Sequence, residues 1–222
     1  MLAAIGHLLP IAIAMALSTV PIMATIVLLL SANRERTALP FLIGWIAGLL
    51  IVVSAFTIFA QLIPTPGLGL RPNTAIGAWE IVIGLALIIV AIVSWVRSRR
   101  TERTELPAWL RGLDRLGRWA AVGFALLLNV RPKALLLAIA AGLAIRAEDL
   151  DVTESAIAIG VYAVISASTV AVPIILTLAA PDRMEPRLRV AQEWLARNNG
   201  IVGSAILLMI GVVVLGSGLS RF

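Results

Sequence analysis

Six apolar segments, at about 2–31, 38–61, 74–96, 119–145, 153–180 and 200–219, take up most of the 222 residues. Each is close to the ~20 residues a helix needs to cross a hydrocarbon core of ~30 Å. In lipid, only helices and closed barrels satisfy their own backbone polar groups, and long unalternating runs give helices. The sequence therefore predicts an all-α integral membrane protein with six transmembrane helices. Hydrophobic residues make up 60% of the chain, and its length leaves no room for a separate soluble domain, so residues 1–222 read as one membrane domain. The first ten residues hold no lysine or arginine and the apolar run continues to about Ser31, so this segment reads as a retained helix and not a cleaved leader.

Charge sets the topology. Thirteen arginines fall in the loops at 32–37, 97–118 and 181–199, against Arg71, Arg146 and Arg221 in the opposite set. The positive-inside rule places the first group in the cytoplasm and both termini outside, in the cytoplasmic membrane. The net charge of +6 is thus absorbed by topology, and no nucleic-acid partner is expected. Zero cysteines exclude disulfides and thiol relays, the lone His7 has no second histidine for a metal, and no cofactor is expected. Two arginine-rich connections have amphipathic spacing: Leu106, Trp109, Leu110, Leu113 and Leu116 in one, Met184, Leu188, Ala191, Trp194 and Leu195 in the other. Both read as helices lying on the bilayer surface.

The fourth segment is the chemically costly one. Its 27 residues, 119–145, carry Asn129-Val130-Arg131-Pro132-Lys133 near the centre, including the only lysine of the chain. A lysine or arginine at the midplane costs about 2.5–3.5 kcal/mol in insertion. Pro132 removes the N–H that would bond the Leu128 carbonyl, and Pro21 does the same for Leu17. Such carbonyls survive at depth only if protein, water or substrate covers them. Asn129, Arg131 and Lys133, with Ser18 and Thr19, are expected to form a cationic polar pocket for an anionic group, with Pro21 and Pro132 shaping it. Bundle stabilisation by the same charges is the alternative.

Pro21 and Pro132 are 111 residues apart, half the chain, and each follows a short polar break. Three helices per unit require the second copy to be upside down. The expected architecture is two inverted three-helix repeats, at about 1–96 and 119–222, joined by a cytoplasmic linker at 97–118. Interrupted helices at matching positions point to a transporter's midplane site.

Other candidates are weaker. Glu80 shares a helical face with Gly77 and Gly84, so it faces helix packing, as an ion-pair partner of Lys133 or Arg131, a coupling group or a hydrated edge residue. Tyr162, Ser166, Thr169, Pro173 and Thr177 form a stripe that either lines a pathway or glues helices together. Gly44 and Gly48 make a packing face, on which a homodimer is one arrangement the sequence allows.

These residues resemble the LysE/RhtB superfamily of exporters. The resemblance rests on Pro21, the run to Arg34-Glu35-Arg36, Phe41 through Gly48, Gly77 through Gly84, and Asn129 through Lys133 followed by Ala134-Leu135-Leu136-Leu137. The family's P-G-P cluster is reduced here to Pro21, and Val130 and Arg131 interrupt its N-P-K motif. The arginine-rich linker and the extra intramembrane arginine look closest to the GAP/Sap branch of lipid-addressing proteins. That likeness implies a LysE-like fold, movement of a cell-envelope glycolipid, and Pro21, Asn129, Pro132 and Lys133 as site positions.

Together these readings predict a non-enzymatic transporter of a lipid or glycolipid with an anionic head group, by alternating access. The absence of a G-x-x-x-x-G-K-[ST] loop argues against direct ATP use. Two alternatives stand beside it: export of an amino acid or other small polar solute, and a non-transporting assembly factor that docks cytoplasmic lipid-synthesis enzymes on the linker.

Overall fold

In the computed structural model, residues 2–61, 72–100, 112, 116–148 and 150–220 are described, and those in regular structure are helical. The helices are α1 (Leu2–Ala16), α2 (Thr19–Leu29), α3 (Arg34–Gln61), α4 (Pro72–Arg100), α5 (Arg118–Leu128), α6 (Pro132–Arg146), α7 (Val152–Ala179) and α8 (Pro181–Leu219). Among them, α3, α4, α7 and α8 each contain a stretch long and apolar enough to cross a membrane. The pairs α1–α2 and α5–α6 bend by 47° and 65° at short breaks, and each is the length of one span, for up to six in all. Residues 101–111 and 113–115 of the arginine-rich linker, with the amphipathic pattern expected there, lie outside the described residues, as do Arg71 and Arg221.

Pro21 and Pro132 do not sit inside continuous spans. Pro132 is the first residue of α6 and Pro21 the third of α2, where the missing N–H has no intrahelical acceptor to lose. Each break is a true helix end followed by a new start. Asp151 opens α7 in the usual way, its carboxylate accepting the Glu154 N–H at 2.7 Å.

Close backbone approach fixes the helix directions. A methyl on Gly44 would lie 2.6 Å from the Val122 carbonyl oxygen, and one on Gly142 2.9 Å from the backbone of Phe56 and Thr57. Thus α3 runs parallel to α5 and then to α6. The Gly44–Gly48 face is therefore covered by α5 of the same chain, and a homodimer has no access to it. Antiparallel packing joins α4 and α8, where a Gly84 methyl would meet Leu215 N at 2.7 Å and a Gly218 methyl the Gly77 carbonyl at 2.8 Å. Packing of α7 along α1 is held by hydroxyls, from Ser166 to the Ala12 carbonyl and from Thr169 to the Ala16 carbonyl. One end of the bundle carries Arg34, Arg118 and Arg183. The other carries Glu148, Asp151 and Glu154, and there His7 Nδ1 lies 3.2 Å from Glu148.

The segment 181–199, expected to lie on the membrane surface, is instead continuous with the last span. The 39 residues of α8 make about 58 Å of helix. Leu188 is buried, and Ala191 and Leu195 pack on the core, while Val190 and Trp194 face outward. Leu188, Ala191 and Leu195 of the amphipathic pattern thus serve the chain's own bundle, whereas Trp194 does not. Glu185 braces this extension, accepting a bond from Arg189 at 2.9 Å and lying 3.7 Å from Arg34. The Arg189 guanidinium, aided by Arg34, holds the Glu185 carboxyl below its ordinary pKa.

Candidate functional site: the break between α5 and α6

An α-helix leaves its last four carbonyls without intrahelical partners, and in a hydrocarbon environment this is costly. At the end of α5 all four are covered. The Asn129 side-chain amide donates to the Ala125 carbonyl at 3.0 Å, and the backbone N–H groups of Asn129 and Val130 reach Leu126 and Leu127 at 3.0 and 3.1 Å. The Arg131 Nε donates to the Leu128 carbonyl at 2.8 Å. That is the carbonyl the proline was expected to free, so Arg131 itself satisfies it.

Asn129 is 1% exposed and is seated against α3, where a methyl on Gly48 would come within 2.5 Å of its Nδ2. Gly48 falls near the centre of the Arg34–Ala60 span. Trp119, 88% exposed at the start of α5, lies ten residues before Asn129. At about 1.5 Å per residue that separation is about 15 Å, half of a ~30 Å core, with a tryptophan where interfacial rings belong. Both measures put the break at mid-depth.

The start of α6 is the opposite case. Its N-cap is Arg131, which offers no acceptor, and no side chain caps the helix. The N–H groups of Lys133 and Ala134 thus stand at the positive end of the helix dipole, on the same short segment as two cationic side chains, Arg131 and Lys133. Among the described residues no carboxylate lies within ion-pair distance of Arg131 or Lys133. Of the roles the sequence left open for Glu80, an ion pair with Arg131 or Lys133 is not among those found between described residues; Glu80 is buried on α4. The break also faces outward: Leu127 is 65% and Val130 55% exposed, Pro132 is exposed, and Arg131 and Lys133 are half-buried.

Residues 8–220 match the family described as Sap, sulfolipid-1-addressing protein. The chain belongs to that family. The Sap-like branch expected from the sequence is thus the one found. No curated protein and no solved structure matches the chain.

The remaining candidates of this Sap-family protein gather elsewhere. Ser18, Thr19 and Pro21 are buried at the break between α1 and α2, and Thr169 bonds across to it. No hydrogen bond joins this group to Asn129, Arg131 or Lys133 among the described residues. On α7, the Ser166 and Thr169 hydroxyls are directed to carbonyls of α1, and Thr177 bonds back to Pro173 at 2.7 Å. Among the described residues, the buried Tyr162 hydroxyl and the Trp45 indole N–H have no partner in bonding geometry. Sequence reasoning missed Gly48 as the seat of Asn129. Its G-x-x-x-G spacing signalled close packing but not the partner.

Proposed function

We propose that this protein moves a cell-envelope lipid with an anionic head group across the cytoplasmic membrane, with Arg131, Lys133 and the uncapped start of α6 receiving the head group. What carries the reading is a cationic half-helix terminus with no carboxylate in ion-pair distance among the described residues, flanked by the outward-facing Leu127 and Val130. A lipid must keep its tails in the bilayer while its head group crosses, so its path has to be lateral. A polar solute needs a path sealed from lipid, and the exposure of Leu127 and Val130 argues against that alternative. The family's description, which names the addressing of a sulfolipid, points the same way.

The transport cycle is alternating access between two inverted three-helix units, α1–α4 and α5–α8, in a LysE-like arrangement. Three features support it. Each unit opens on a bent pair, α3 and α7 are both 28 residues long, and α3 packs on α5 and α6 as α7 packs on α1 and α2. The arginine-bearing end faces the cytoplasm and the termini lie outside.

The test is flux in reconstituted vesicles of a fluorescent lipid with a sulfated or phosphorylated head group, beside release of a labelled amino acid. Lys133→Gln and Arg131→Gln should each lower lipid movement at least tenfold while the protein stays folded. If lipid flux survives both changes, the head-group role fails. Loss of amino-acid release alone turns the reading to solute export.

A further inference from the structure

The exposed side of α8 changes chemistry along its length without a break. At about 3.6 residues per turn, Ile201, Leu208 and Val212 share one exposed stripe, the side that its apolar span turns to hydrocarbon. The same stripe continues toward the start of the helix as Arg197, Trp194, Val190, Arg187 and Arg183, all exposed. The opposite side of this extension is taken by the bundle, through Leu188, Ala191 and Leu195. Three cations, an indole and a valine are therefore held outward on one line. The acids of the extension, Asp182, Glu185 and Glu193, fall off that line. Among the described residues no carboxylate lies within ion-pair distance of Arg183, Arg187 or Arg197. On the antiparallel α4, Trp95 and Arg97 are likewise exposed at this end.

The height of the stripe decides what it meets. The Arg34–Ala60 span of α3 has 27 residues, about 40 Å of helix, as long as a bilayer is thick with its head-group layers. Arg34 therefore stands among head groups, and Glu185, 3.7 Å from it, keeps the first turns of α8 at that level. At the other limit, Arg197 precedes by four residues the Ile201–Leu219 span, whose 19 residues make about 28 Å of helix and fill the hydrocarbon core. Between these limits the stripe runs along the head-group layer, where tryptophan rings settle and arginines meet anionic lipid. Negative charge is the complement of three guanidinium groups without acidic partners. A line continuous with the lipid-facing side of the same helix finds that charge in the surrounding leaflet.

We infer that the outward face of α8 over residues 183–197 is a docking surface for anionic lipid head groups of the leaflet at the arginine-bearing end. Arg183, Arg187 and Arg197 meet the phosphates, and the Trp194 ring lies at the interface among them. The surface is separate from the α5–α6 break, and the lipids it holds stay in their own leaflet. It does not rest on the transport reading; only the naming of that leaflet as cytoplasmic rests on the orientation proposed above.

The chain has no cysteine, so Val190→Cys gives a single labelling position on this face. The full-length protein with a fluorophore there is placed in phosphatidylcholine nanodiscs. The quencher is phosphatidylglycerol or phosphatidylcholine carrying a nitroxide on the acyl carbons next to the head group. Phosphatidylglycerol should quench at a mole fraction lower by about fivefold or more, the preference that one arginine confers at an anionic surface. Added salt should shrink the difference. Arg183→Gln, Arg187→Gln and Arg197→Gln together should bring the two lipids level, while Lys133→Gln should leave the preference in place. If the triple variant does not fold, Arg197→Gln alone should lower the preference. Equal quenching by the two lipids, or a preference that the arginine changes leave untouched, overturns the surface. So does a preference that disappears with Lys133→Gln, which would belong to the α5–α6 break. Quenching by neither lipid puts the face outside the bilayer and overturns it in favour of an acidic protein partner. Because no flux is measured, failure of the transport reading leaves these outcomes intact.

Discussion

Gly48→Ala tests whether the capped break is built as described. The added methyl would lie 2.5 Å from Asn129 Nδ2 and 3.0 Å from its Cγ, so one of two things must give. Either the amide swings away and leaves the Ala125 carbonyl bare, at about 1–3 kcal/mol, or α3 and α5 separate, at about 1–3 kcal/mol for overpacking. Each response relieves the other, so the expected loss is about 1–3 kcal/mol and not the sum. Asn129→Ala alone should lose about 1–3 kcal/mol by baring the same carbonyl. In that background the Gly48 methyl meets no amide, and its further cost should drop below about 0.5 kcal/mol. Reversible unfolding of the four proteins in mixed detergent and bicelles gives the coupling energy directly. A cycle that is additive within about 0.5 kcal/mol would refute the reasoning, because Gly48 and Asn129 would then act independently.

The other consequences are quickly tested. Gly84→Ala places its methyl against the backbone of Leu215 and Gly211, which has no rotamer to yield; Gly216→Ala meets nothing within 4 Å. The first should lose about 2 kcal/mol or more by overpacking, the second should be neutral or gain up to about 1 kcal/mol from helix propensity, both read as unfolding midpoints. Thr169→Val should lose about 0.6–1.7 kcal/mol, the range for interhelical polar bonds in membranes, measured by the same assay. Glu185 has a depressed carboxyl pKa in the folded state, so its contribution is present above the ordinary value of 4.5 and fades as pH falls through the lower folded value. Glu185→Gln should remove that acid-dependent part of the stability profile, and high salt should blunt the difference.

How much of this was legible depends on the kind of signal. Segment length and apolarity located the spans, and the polar triplets before Pro21 and Pro132 located both breaks, because cost at depth is written in residue type. The carbonyl cap was not legible: an arginine in a membrane reads as charge, and nothing in sequence says that its Nε turns back onto Leu128. The spacing of Met184, Leu188, Ala191, Trp194 and Leu195 gave an apolar helix face but not what covers it, since a bilayer and a bundle select the same period; the bundle takes Leu188, Ala191 and Leu195 and leaves Trp194 outward. The seam between α4 and α8 uses Gly77 and Gly84 against Gly211 and Gly218, two i,i+7 pairs whose partnership only the fold displays.

The most direct test of the account asks whether a lipid head group reaches the middle of the membrane at α5–α6. A sulfated or phosphorylated lipid bearing a photoreactive diazirine on its head group would be irradiated with the protein in vesicles, and labelled peptides mapped. In an undisturbed bilayer that head group stays about 15 Å from mid-depth. The account predicts labelling concentrated in residues 127–134, competed by unlabelled anionic lipid and lost in Lys133→Gln. Labelling confined to the two ends of the bundle, or equal at the break and at the lipid-facing Val164 of α7, would contradict it.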